Sequence, residues 1–126
     1  MIIGTWSINQ IIVENIDFTN ENEIFMSSGY ADDRFMSIES SATSAVNLEW
    51  LVREYLEHDA EVAAGKSPFE LANELVSQSA FREDGPYYHP YLYGAPGNGT
   101  ARAGFFGVGG WHGRGDMLRA IYEGVT

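Results

Sequence analysis

Ala103-Gly104-Phe105-Phe106-Gly107-Val108, then seven residues, then Asp116-Met117-Leu118-Arg119-Ala120-Ile121-Tyr122-Glu123-Gly124 is the stretch with the most tightly constrained pattern in this chain of 126 residues. Residues 94–115 hold nine of the 14 glycines, a density that suits sharp turns and close backbone approach rather than regular structure. Loops are therefore expected there. Downstream, Met117, Leu118, Ile121, Tyr122 and Val125 recur at helical spacing, which predicts a helix over about 115–124 with one buried face.

Moving outward, Tyr87-Tyr88-His89-Pro90-Tyr91-Leu92-Tyr93 is rich in aromatics that favour a strand, but Pro90 forbids an ordinary central one. An extended, interrupted segment is expected. Ser67-Pro68-Phe69-Glu70 combines a cap, a first-turn proline and a capping-box glutamate, predicting a helix over about 68–79. Leu48, Leu51, Val52 and Tyr55 predict another over about 44–57, with the hydroxyls of residues 41–43 as candidate caps. Before it, 2–13, 24–30 and 34–40 are rich in β-branched and aromatic residues and read as antiparallel strands. The fold class is α/β in the looser α+β sense, strands over about 2–40 followed by helices, within one domain or part of one.

Composition narrows the function. Eighteen acidic residues against seven basic ones give a net charge of −11, which repels nucleic-acid phosphates and argues against a nucleic-acid partner. No apolar run approaches membrane-spanning length and the first residues lack a signal-peptide pattern, so a cytoplasmic protein without a membrane partner is expected. Cysteine is absent, which removes disulfides and thiolate metal sites. His58, His89 and His112 have no paired ligand spacing, so no metal site is assigned. No glycine-lysine-serine or glycine-lysine-threonine triplet exists for a Walker loop, and His112 stands where a dinucleotide loop needs glycine. Gly4-Thr5 is the suggestive pair, since a glycine and a hydroxyl in a tight turn can present an amide and an oxygen to a phosphoryl group. The plain alternative is a hairpin turn.

The 103–124 pattern resembles the second signature of the FGGY carbohydrate kinases, with every constrained position matched. Gly4-Thr5-Trp6-Ser7 resembles the phosphate-contacting turn that opens their C-terminal domain. Ser44-Ala45-Val46-Asn47-Leu48-Glu49-Trp50-Leu51 resembles their first long helix, and Pro90-Tyr91-Leu92-Tyr93-Gly94 the loop before the signature. These segments stand in family order across nearly the whole chain, and the opening and helix look closest to the xylulose and L-xylulose kinases.

The resemblance implies a partial ribonuclease H-like domain of the actin, hexokinase and Hsp70 ATPase type, part of the FGGY C-terminal domain over 1–126. It implies an ATP- and magnesium-dependent sugar kinase whose parent phosphorylates a ketose such as xylulose or L-xylulose. By the same resemblance Gly4 and Thr5 approach the terminal phosphates, and Ala45 and Glu49, at i and i+4, border the nucleotide; Ala45 departs from the glycine often found there. No catalytic residue is assigned, because the resemblance implies that the family's base aspartate belongs to an N-terminal domain before the matched stretch and that its glycine-rich adenosine-binding segment lies after it. The isolated chain is expected to be inactive and to expose a strand edge and an apolar helix face, a route to homodimerisation. The signature residues Phe105, Phe106, Leu118 and Ile121 are expected in the core, with His112, Arg114 and Asp116 fixing a loop onto a helix. The alternatives are a non-catalytic interaction module and, more weakly, a sugar binder using Trp6, Trp50 and Trp111, although these tryptophans read as buried.

Overall fold

The computed structural model describes residues 2–3, 6–16, 25–95 and 98–125. Strands β1 (Ile2–Ile3), β2 (Ser7–Val13), β3 (Phe25–Ala31) and β4 (Arg34–Ser41) come first. They form an antiparallel sheet in the order β1-β2-β4-β3. The β3–β4 hairpin closes through Asp32 and Asp33, with Asp33 at φ 60°, a left-handed conformation that aspartate tolerates better than most non-glycine residues. The expected antiparallel strands are thus present, with the first divided in two.

Helix α1 (Val46–Tyr55) carries Glu49 in its first turn and Arg53 in its last, charges that complement the helix dipole. The hydroxyls of residues 41–43 do not cap it. Ala45 is the N-cap and has no side-chain bond, while Ser41 Oγ and Thr43 Oγ1 hydrogen-bond each other. A short helix α2 (Ala60–Ala63), absent from the sequence reading, starts at Asp59, whose carboxylate accepts the Glu61 N–H at 3.0 Å. In α3 (Pro68–Gln78) Glu70 reaches back to the Ser67 N–H at 3.2 Å, as the capping pattern predicts.

Strands β5 (Tyr87–His89) and β6 (Gly104–Phe106) form a two-stranded antiparallel sheet, and α4 (Arg114–Gly124) ends the fold. β5 stops before Pro90, as expected. β6 lies where only loops are expected; three residues are too few to show alternation, and Phe105 is held by pairing with Tyr88, their ring centroids 4.8 Å apart. At Gly94, φ is +91° and a Cβ would stand 3.2 Å from Gly99 Cα, so the loop between β5 and β6 does need glycine there.

Among the described residues the core belongs to the second part of the chain. Leu51, Val52 and Leu56 of α1, Leu71 and Ala72 of α3, Tyr88 of β5, and Leu118, Ala120 and Ile121 of α4 are its buried apolar residues. Two glycines permit the close packing: a Cβ on Gly115 would stand 2.4 Å from Leu75 O, and one on Gly124 would stand 2.5 Å from Tyr88 O. Several expected core residues are instead outside it. Phe106 is 52% exposed, Tyr55 64%, Trp6 52% and Trp111 68%, which corrects the burial read from their apolar character. Among the described residues, no helix packs more than marginally on the four-stranded sheet, and no helix is long and apolar enough to cross a membrane.

Candidate functional site

Ser7 opens β2 opposite Ser41 at the end of β4, and Asn9 stands opposite Glu39. Alternation along each strand puts these four side chains on one face at one end of the sheet. Thr43, leading into α1, and Tyr91 and Ala95, from the β5–β6 connection, complete a polar cleft of about 360 Å³. Its walls offer hydroxyls, a carboxamide and the exposed Glu39 carboxylate. Such a set can hydrogen-bond a polyhydroxylated or phosphorylated ligand, but the carboxylate repels a bare phosphate unless a cation stands between them.

Gly4 and Thr5 lie outside the described residues. Ile3 and Ser7, which flank them, pair with each other across β1 and β2, so the described backbone on either side stands at the cleft end of the sheet. Ala45 is half-buried at the start of α1, two residues beyond Thr43. Glu49 is exposed one turn later and its N–H donates to Ala45 O at 3.0 Å, so the two share a helix face as their spacing predicts. Neither lines the cleft.

The start of α1 is fixed by a buried polar clamp. Asn47 Nδ2 donates to Ser44 O at 3.0 Å, and the Tyr88 hydroxyl donates to Asn47 Oδ1 at 2.9 Å. Burial pushes the Tyr88 phenol up to about 12. Ser44 is fully buried and its Oγ has no partner among the described residues. The Asn47–Tyr88 pair is not legible in the sequence, because the partners are 41 positions apart; a lone asparagine on an otherwise apolar helix face is the available signal. Asn9 and Tyr91 are likewise not expected as site residues from the sequence, although Ser7 and Asn9 alternate as a polar strand face should.

Around the signature, His112 Nδ1 accepts the Gly109 N–H at 2.9 Å and Asp116 accepts the Gly113 N–H at 2.8 Å. These two residues fix the loop onto α4, as expected. Arg114 instead ties α4 to Asp59 at the start of α2. That contact holds the Asp59 carboxyl below the usual aspartate range. Arg119 donates to Val76 O at 2.8 Å, Ser79 O at 2.6 Å and Ser79 Oγ at 2.9 Å, closing the C-terminal end of α3 with a planar cation.

A second hollow is apolar. A groove of about 720 Å³ runs between α1, α4 and the β5–β6 pair, lined by residues that include Trp50, Tyr55, Leu92, Phe105, His112 and Met117. Among the described residues no group of three or more His, Cys, Asp and Glu side chains could hold a metal ion by itself.

No protein-family model matches the chain. It is 31% identical over 125 residues to a probable L-xylulose kinase of Pasteurella multocida, covering 98% of this chain and 24% of that protein. It is 29% identical over 126 residues to the L-xylulose/3-keto-L-gulonate kinase of Escherichia coli, covering 99% and 23%. The chain is a homologue of sugar kinases. The fold agrees, since the xylulose kinase from Rhodospirillum rubrum superimposes on 98% of this kinase homologue with a TM-score of 0.75 at 18% identity, using 24% of its own length. The expected order, antiparallel strands followed by helices, is therefore the one found, and the fold is shared with part of that xylulose kinase. The homologue spans about a quarter of the length of the curated relatives it matches.

Proposed function

We propose that this kinase homologue is an incomplete domain, part of the C-terminal domain of an ATP-dependent sugar kinase that phosphorylates a ketose such as xylulose or L-xylulose. The observation that carries the reading is that L-xylulose kinases align with 98–99% of this chain, which covers only 23–24% of their own length. In this reading Gly4 and Thr5 meet the terminal phosphates, while Ala45 and Glu49 border the nucleotide. The polar cleft at the end of β2 and β4 is the wall facing the phosphates, in a cytoplasmic enzyme that has no nucleic-acid partner.

The donor set fits magnesium carried in with ATP. That ion prefers one or two carboxylates, waters and phosphate oxygens to an all-protein cage, and Glu39 is the single acid among the described residues lining the cleft. When bound, the ion would neutralise phosphate charge. The cleft residues would orient the phosphates, which is the larger part of phosphoryl-transfer catalysis.

The 126-residue chain alone is proposed to be inactive, because this reading assigns the base and the adenosine-binding segment to other parts of the enzyme. Pure chain incubated with ATP, magnesium and either xylulose or L-xylulose should give no sugar phosphate in a coupled assay. Turnover above a no-protein blank would refute the inactivity. A second reading, a non-catalytic module that pairs with itself or with a complementary half, is favoured by the exposed Tyr55, Phe106 and Trp111. Calorimetry separates the two: heat on adding ATP and magnesium supports the kinase site, while concentration-dependent self-association without nucleotide supports the module.

A further inference from the structure

We infer that Asn98, in the connection between β5 and β6, is a site of self-modification. Its side-chain carboxamide closes on the following main-chain nitrogen, loses ammonia and is opened by water to aspartate or isoaspartate. The product stands next to the wall of the polar cleft and alters that wall.

Three observations meet at this residue. Asn98 is exposed and is the asparagine in this chain that glycine follows, so no side chain obstructs the approach of the next nitrogen to its Cγ. The Gly99 N–H donates to no acceptor among the described residues, which leaves that nitrogen free to act as the nucleophile. Asn98 Oδ1, meanwhile, accepts the Thr100 N–H at 3.1 Å and the Thr100 hydroxyl at 2.7 Å. The first bond folds the carboxamide over the Gly99 peptide, and both donors face the oxygen on which negative charge develops when Cγ is attacked.

Water is the co-reactant that balances the step. Gly99 N gives its proton to solvent and bonds to Cγ, the Cγ–Nδ2 bond breaks, and the departing nitrogen takes a proton from water to leave as ammonia. A second attack by water opens the cyclic imide. Attack at Cγ restores the original main chain as aspartate, and attack at the main-chain carbonyl carbon gives isoaspartate, with no oxidation or reduction in either case.

Other candidate positions lack one of these features. Asn47 and Asn73 lie in α1 and α3, followed by Leu48 and Glu74. Asp84 is followed by a glycine, but the Gly85 N–H donates to Arg82 O at 3.1 Å and the Arg82 guanidinium holds the Asp84 carboxylate.

The consequence reaches the cleft through Ala95, which lines it. Asn98 O accepts the N–H groups of Ala95 and Ala101, each at 3.1 Å. In isoaspartate that carbonyl becomes a free carboxylate and the main chain lengthens by one carbon, so the Ala95–Asn98 bridge is lost. Negative charge added beside the cleft disfavours a phosphate ligand. This effect on binding rests on the kinase reading above, whereas the modification does not.

Tryptic mapping of the 126-residue chain, aged in its folded state at mildly alkaline pH, tests the inference. The peptide between Arg82 and Arg102 contains Asn98 as its one asparagine and no glutamine, so an amide-to-acid mass change in it reports this site alone. Asn98 should convert before any other asparagine. Gly99→Ala, whose Cβ would meet nothing within 4 Å, should slow the conversion many-fold, and Thr100→Val should slow it several-fold. An Asn98 amide that lasts as long as the others, or that Gly99→Ala loses as fast as the parent chain, overturns the inference. Calorimetry with ATP and magnesium on fresh and aged chain then tests the link to the cleft. Weaker binding after ageing supports that link, and unchanged binding overturns it. No heat from either sample while Asn98 converts would remove the kinase reading of the cleft and support the modification by itself.

Discussion

The sheet of residues 2–41 and the helical part that follows are built on different terms. In the helical part, α1, α3, α4 and β5 share one apolar core, and its buried Asn47 and Tyr88 satisfy each other. In the sheet, strands pair with strands but among the described residues no helix covers a face to more than a marginal extent, and Ile11 and Ile12 are 62% and 51% exposed. A four-stranded sheet gains its ladder hydrogen bonds from its own strands, but its apolar side chains gain little until a second layer removes them from water. Stability therefore concentrates in the helical part, and the polar cleft is carried by the part with less burial.

The largest expected effect tests that division directly. Leu118→Ala removes a residue only 1% exposed at the centre of α4 and should cost about 2–5 kcal/mol. Ile12→Ala in β2 should stay within about 0.5 kcal/mol, as exposed substitutions usually do. Denaturant unfolding of both variants checks the contrast, and equal losses would mean the sheet has a buried face after all.

Next in size is an alkaline loss to which the core contributes. Tyr88 has its pKa raised to about 12 by burial, above the ordinary tyrosine value of about 10. Its contribution is fully present below pH ~10 and is lost as pH rises through ~12, to a total of about 2–3 kcal/mol. Unfolding measured between these limits should show the decline, and Tyr88→Phe should make it shallower. An unchanged slope in that variant would place the titrating group elsewhere.

A smaller effect sharpens the comparison at the joint between the two parts. Asn47→Ala leaves the buried Tyr88 hydroxyl without its acceptor and should cost about 1–3 kcal/mol. Combined with Tyr88→Phe, the loss should be less than additive, because the orphaned hydroxyl is then gone. A strictly additive double-mutant cycle would show that the 2.9 Å contact contributes nothing to stability.

Local chemistry made much of this legible. The helices over 46–55, 68–78 and 114–124 were readable from periodicity and from the Ser67-Pro68-Phe69-Glu70 start, and the strands from β-branched runs. Segment order and the signature made the kinase kinship readable, and relatives at 29–31% identity agree. For the candidate site, the shared face of Ala45 and Glu49 followed from their spacing, while Gly4 and Thr5 fall outside the described residues.

What the sequence by itself determined is therefore periodic or contiguous: which segments are helix or strand, and which family pattern they compose. The tertiary structure alone decided which apolar residues meet the core, leaving Tyr55, Phe106 and Trp111 outside it. It also paired Asn47 with Tyr88, fitted Arg119 over the end of α3, and gathered Ser7, Asn9, Glu39 and Tyr91 around one cleft. The reason is that period and propensity act over neighbouring residues, whereas burial and hydrogen-bond partners depend on which distant segments the packed chain brings together.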